Sequence, residues 1–111
     1  MTEDLCIIYS PVPDIEVARK IGQELVVNRL VACVNMLPGM ESIYEWKGKI
    51  ETGHETVLIA KTSEVHVQKA MHKIRELHPY DCPCIMTFDM TRVNQPFAHW
   101  MMEQMKPEEN K

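Results

Sequence analysis

The stretch from Leu30 to Thr62 constrains this chain most, because it reads as two long extended arms folded back on each other. Leu30 to Leu37 is nearly all apolar, with Val31, Cys33 and Val34 inside it. Beyond Pro38-Gly39, Met40, Ser42, Tyr44 and Trp46 alternate with Glu41, Ile43, Glu45 and Lys47, the two-residue period of a strand. Lys47-Gly48 supplies turn chemistry, and Lys49 to Thr62 returns, ending in the apolar Val57-Leu58-Ile59-Ala60. The two arms predict an unusually long hairpin with a bend at Pro38-Gly39. Its tip sets Tyr44, Trp46 and Ile50 among charges, beyond the reach of a core that 111 residues can build, so these three side chains are expected to meet another subunit.

The flanking segments complete a recognisable order. Leu5-Cys6-Ile7-Ile8-Tyr9 is a short run of strand formers closed by Ser10-Pro11-Val12-Pro13. Asp14 is placed to cap a helix from about 15 to 28, whose apolar positions Ala18, Ile21 and Leu25 recur at a spacing of three to four. Ser63 reads as the cap of a second helix bearing Val67, Ala70, Met71, Ile74 and Leu77, which Pro79 stops. A strand over 85–90 and a helix opening at Asn94-Gln95-Pro96, with Phe97, Trp100, Met101 and Met105, follow. The order is βαββαβ plus one helix, two strand-helix-strand halves joined by a hairpin. That is an α+β, ferredoxin-like sandwich, predicted as one domain over 1–105 with a polar tail at 106–111.

Charge and motifs narrow the function. Sixteen acidic and 12 basic side chains give a net charge of -4, and no basic run exceeds two residues, so neither nucleic acid nor an anionic membrane is an expected partner. Val57 to Ala60 offers no aromatic for stacking RNA bases, and Pro11 and Pro13 remove two amides that a phosphate loop after the first strand would use. No basic, then apolar, leader opens the chain, and the four cysteines read as free thiols, which together predict a soluble cytoplasmic protein. Cys6 and Cys33 sit in apolar runs as small buried hydrophobes, and the nine methionines are scattered as gap-fillers at the core or an interface.

The chemistry concentrates in one segment, His78-Pro79-Tyr80-Asp81-Cys82-Pro83-Cys84. An imidazole and two thiolates suit copper(I) or zinc(II), and in an extended chain both sulfurs can face one point that His78 approaches once Pro79 has ended the helix. The same letters also describe a plain connection, with Cys84 continuing the face of Met86, Phe88 and Met90 as a core cysteine would. A thiolate catalyst lacks a third orienting group at a readable spacing, so no enzyme is expected.

Several stretches together resemble the CutA divalent-cation-tolerance proteins: LVACVNMLPGMESIYEWKGKIE (Leu30 to Glu51), LIAKT (Leu58 to Thr62), HPYDCP (His78 to Pro83) and QPFAHW (Gln95 to Trp100). The resemblance implies a homotrimer of ferredoxin-like subunits linked by their hairpins and similar in architecture to PII signalling proteins. It also implies binding of divalent metal ions, copper especially, with no enzymatic activity and no metal needed for folding. Candidate ligands in some members, a cysteine and two histidines, fall here on Tyr9 or Ser10, Leu77 and His78, of which only His78 keeps the residue type. The alternative is a PII-like sensor that takes a small metabolite or anion at clefts between subunits, with Lys61, Tyr80 and Asp81 as contacts.

Overall fold

The structure is a computed structural model that describes residues 4–107 of the chain. Residues 108–111, most of the expected polar tail, lie outside the described residues.

Strand β1 (Leu5–Val12) leads to helix α1 (Ile15–Val27), then to the hairpin arms β2 (Cys33–Trp46) and β3 (Lys49–Ser63). Helix α2 (Val67–Leu77), strand β4 (Met86–Asp89) and helix α3 (Gln95–Gln104) follow. The sheet order is β2-β3-β1-β4 with every neighbour antiparallel, as the ferredoxin-like reading requires. Side chains at Cys6, Ile8, Val12, Leu58 and Ala60 point to one face and are sealed there by Ala18, Ile21, Leu25, Ala70 and Ile74 of α1 and α2. A second cluster, Leu5 and Ala32 with Ala98, Met101 and Met105, anchors α3 at the end of the sheet where β1 starts and β3 finishes.

Local chemistry explains the boundaries. Asp14 caps α1 by accepting the amide of Val17 at 2.9 Å. Ser63 does not cap α2: it stays paired with Leu5 in the β1–β3 ladder, its hydroxyl lies 2.9 Å from Nδ1 of His66, and His66 is the cap residue with no side-chain bond to the helix. Lys47 and Gly48 both adopt positive φ, 52° and 81°, which matches the right-handed twist of the strands they join.

The bend at Pro38-Gly39 proves to be a register shift. Leu37 pairs with Val57 but Met40 pairs with Glu55, so β2 spends one more residue than β3 across the step. One extra residue swaps which side chains face which way. Before the bulge the even residues Val34 and Met36 face the helices' side of the sheet; after it the even residues Met40, Ser42, Tyr44 and Trp46 turn to the opposite, open side, where the Tyr9 hydroxyl reaches Met40 Sδ at 3.7 Å. The hairpin then extends well past the helices, giving extents of 53 × 32 × 21 Å and a radius of gyration of 15.2 Å. A compact chain of this length would have a radius of about 13 Å.

Candidate functional site

Where the hairpin leaves the body of the fold, the segment after α2 folds against it and encloses a cleft of about 630 Å³. Its walls include Tyr44, Trp46, Glu55, Tyr80, Asp81 and Cys82. The hairpin contributes Tyr44 and Trp46 through the parity swap at the bulge. The Tyr44 ring lies along Gly53, where an added Cβ would stand in ordinary contact, 3.5 Å from the Tyr44 hydroxyl.

One carboxylate is held in place. Glu55 Oε1 accepts the Ser42 hydroxyl at 2.7 Å, and Oε2 accepts the Tyr80 hydroxyl at 3.0 Å. Partial burial, and then the Glu55 carboxylate that the phenol donates to, push the Tyr80 hydroxyl up to about 12. His54, also at the cleft, stands 3.5 Å from Glu41.

His78 takes another role from the one its motif suggests. It is buried, with Nε2 2.9 Å from the Pro11 carbonyl and Nδ1 accepting the Tyr80 amide at 3.2 Å. A carbonyl can only accept, so Nε2 carries the hydrogen and the ring's single lone pair is spent on Tyr80. The ring therefore ties the end of α2 to the end of β1 and sets the start of the cleft wall, with the Tyr80 ring 4.7 Å away.

Metal-ligating geometry follows from that. Cys82 and Cys84 are both exposed free thiols, and among the described residues no group of three or more His, Cys, Asp or Glu side chains is placed to hold a metal ion. Within one chain, His78, Cys82 and Cys84 do not form a three-donor site, because His78 points inward and has no free lone pair. Cys84 is not a core cysteine either; β4 begins only at Met86, and Cys84 ahead of it is exposed. The other ligand set fares no better: Ser10 is fully buried with its hydroxyl lacking a partner among the described residues, and Leu77 packs against the core. Cys6 is fully buried, and burial together with Glu64 and Asp89 pushes its thiol to about 11, the behaviour of a packing residue.

The three alternative ligand contacts also separate. Tyr80 and Asp81 line the cleft, whereas the Lys61 ammonium rests 5.3 Å from the centre of the Phe97 ring on α3. Sequence reading missed Glu55 and Ser42, although the signal was present: counting back from the Lys47-Gly48 turn pairs Ser42 with Gly53 and puts Glu55 on the same face two residues along.

Residues 6–104 match the family model described as CutA1 divalent ion tolerance protein. The chain belongs to the CutA1 family. A divalent-cation tolerance protein CutA of Thermococcus kodakarensis is 41% identical over 95 residues, covering 86% of this chain and 90% of the relative. Among solved structures, the divalent ion tolerance protein CutA1 of Ehrlichia chaffeensis superimposes with a TM-score of 0.93 at 34% identity, covering 96% of this chain and 100% of that one. The CutA of Archaeoglobus fulgidus, whose name describes it as periplasmic, gives 0.88 at 31% identity, covering 92% and 99%. No helix among the described residues is long and apolar enough to cross a membrane.

Proposed function

We propose that this CutA1-family protein acts in the cytoplasm as a homotrimeric, non-enzymatic divalent-cation tolerance protein that binds metal ions, copper among them. The observation that carries the assembly is the amount of apolar surface one chain leaves uncovered. On the open side of the sheet Leu37, Met86 and Phe88 keep 55%, 45% and 49% of their surface, and on the hairpin Ile43 and Ile50 keep 75% and 72%. Scattered exposed apolar residues are ordinary; a continuous open sheet face prolonged by an aromatic hairpin is the surface of an interface. Tyr44 and Trp46 share the open face, while Ile43 and Ile50 lie on the hairpin's other side, so two distinct contacts follow rather than one tip cluster. A closed ring uses both, since each hairpin then lies between two neighbours.

The metal part of the proposal is narrower than the motif suggested. The thiols open to solvent are Cys82 and Cys84, and His78 does not join them. Two thiolates are suited to copper(I), and further donors would have to come from neighbouring subunits. Sedimentation equilibrium tests the assembly, with three subunit masses expected and one subunit mass refuting it. Titration of the reduced protein with copper(I) against a competing chelator tests the thiols. The double Cys82→Ser, Cys84→Ser protein is expected to lose binding; binding equal to the parent would remove these thiols from the proposal.

A further inference from the structure

We propose that the second apolar cluster, where α3 closes on the end of the sheet, binds a copper(I) ion through the thioethers of Met90, Met101, Met102 and Met105. Its composition differs from that of the main core. Under α1 and α2 the packed residues are Ile, Leu, Val and Ala, with Cys6 and Met71 the exceptions, whereas four of the nine side chains gathered at α3 are methionines. Packing alone does not call for that, because burying methionine freezes more rotamers than burying leucine or isoleucine, and leucine fills nearly the same volume. Met101 and Met105 stand one turn apart at the end of α3, 0% and 2% exposed. Met102 packs beside them, and Met90, just after β4, joins from the sheet.

The sulfurs are available as donors. Thr62 has a single hydroxyl hydrogen, and the Leu30 carbonyl 2.7 Å away is the stronger acceptor, so Met105 Sδ, 3.6 Å from the same oxygen, keeps its lone pairs. Met40 differs, since its Sδ accepts the Tyr9 hydroxyl at 3.7 Å. The cluster is also reachable: a cavity of about 600 Å³ has Leu5, Met90, Val93 and Ala98 in its wall, with Asp4 and Arg92 of opposite charge beside them. None of the side chains assigned above to subunit contacts lines it. Neutral thioethers in an apolar setting select the metal. They suit copper(I), whereas zinc(II) and calcium seek imidazole, thiolate or oxygen donors, and among the described residues no group of three His, Cys, Asp or Glu offers those.

Thiolates attract copper(I) more strongly than neutral thioethers, so the two kinds of site separate once Cys82 and Cys84 are both replaced by serine. In that background the full chain in its native assembly, isotope-labelled at the methionine methyl groups, is titrated under nitrogen with copper(I) supplied as its acetonitrile complex and no stronger chelator present. The methyl resonances of Met90, Met101, Met102 and Met105 are expected to shift, while those of Met36, Met40, Met71 and Met86 stay in place. Zinc(II) is expected to move none of them. Met90→Leu combined with Met102→Leu keeps the volume at two partly buried positions and is expected to lower copper(I) affinity about tenfold with the circular dichroism spectrum unchanged. Should that variant prove unfolded, the pattern of shifts in the unaltered methionines keeps the test in force. No shift with copper(I), shifts at Met36, Met40, Met71 or Met86 instead, the same shifts with zinc(II), or undiminished affinity in the folded leucine variant would each overturn the proposal. None of these outcomes bears on the thiols of the proposed function, so the two sites can fail separately.

Discussion

Both faces of this sheet carry apolar side chains, yet only the helix face is sealed along its length by its own chain. On the helix side Ile8, Leu58 and Ala60 are 0% exposed, while Met86 and Phe88 across the sheet keep 45% and 49%. The alternation of a strand guarantees two faces; what distinguishes them is the supply of covering elements. Helices α1 and α2 share one side, and α3 reaches only the end of the sheet around Leu5 and Ala32. The residues that fold the chain and those left uncovered therefore lie on opposite faces of one sheet.

The largest expected effect comes from the sealed face. Leu58→Ala removes a fully buried side chain between the helices and the sheet and should cost about 2–5 kcal/mol in denaturant unfolding. Phe88→Glu, on the open face, should instead shift the sedimentation mass toward one subunit while leaving the secondary structure intact. If Phe88→Glu abolished folding and left no assembled or monomeric native protein, the separation of the two faces would be wrong.

Next in size is His78, which lies at the boundary between body and cleft. His78→Ala leaves the Pro11 carbonyl and the Tyr80 amide without their partner and should cost about 1–3 kcal/mol. Copper(I) affinity should stay within error of the parent, since the ring's lone pair serves Tyr80; a large loss of copper binding with unchanged stability would restore the metal role.

The fold was legible and the site was only partly so, for reasons that individual residues make plain. The apolar spacing of Ala18, Ile21 and Leu25 and the carboxylate of Asp14 are local signals, and local structure follows them. Ser63 carries the same kind of signal, but its backbone was already committed to Leu5 across the sheet, a partner far away in sequence. His78 fails likewise: residue type announces a ligand, whereas the Pro11 carbonyl that takes the imidazole hydrogen becomes visible only once β1 and α2 are packed. Tyr44 and Trp46 were correctly seen as exposed, yet their separation from Ile50 depends on the extra residue at the Pro38-Gly39 bulge.

A smaller effect tests the sealed face through pH. The Cys6 thiol ordinarily ionises near 9 and is raised to about 11 by burial, so the folded chain keeps its proton where the unfolded chain loses it. Stability from this source is present below about pH 9 and lost as pH climbs from 9 toward 11. The Tyr80 hydroxyl, raised from 10 to about 12, adds a loss over the next interval. Cys6→Val should flatten the decline between 9 and 11 in melting temperature measured against pH; an unchanged slope would mean the thiol does not carry it.

The smallest effect lies at the far end of the open region. Lys47 sits at a φ of 52°, where a side chain crowds its own backbone, and it shares a two-residue turn with Gly48 at 81°. Asparagine tolerates that conformation better than lysine because its short polar side chain can bond locally, so Lys47→Asn should stabilise the turn by up to about 1 kcal/mol. The turn lies beyond the helices, outside both buried clusters, and the gain should therefore be the same in the parent and in Leu58→Ala, as expected for independent sites. In Phe88→Glu it should fall if neighbouring subunits hold the hairpin in shape, because a frayed hairpin in the free chain no longer imposes the turn. Equal gains in all three backgrounds, by denaturant midpoint, would show that the hairpin is rigid by itself and that assembly is not what orders it.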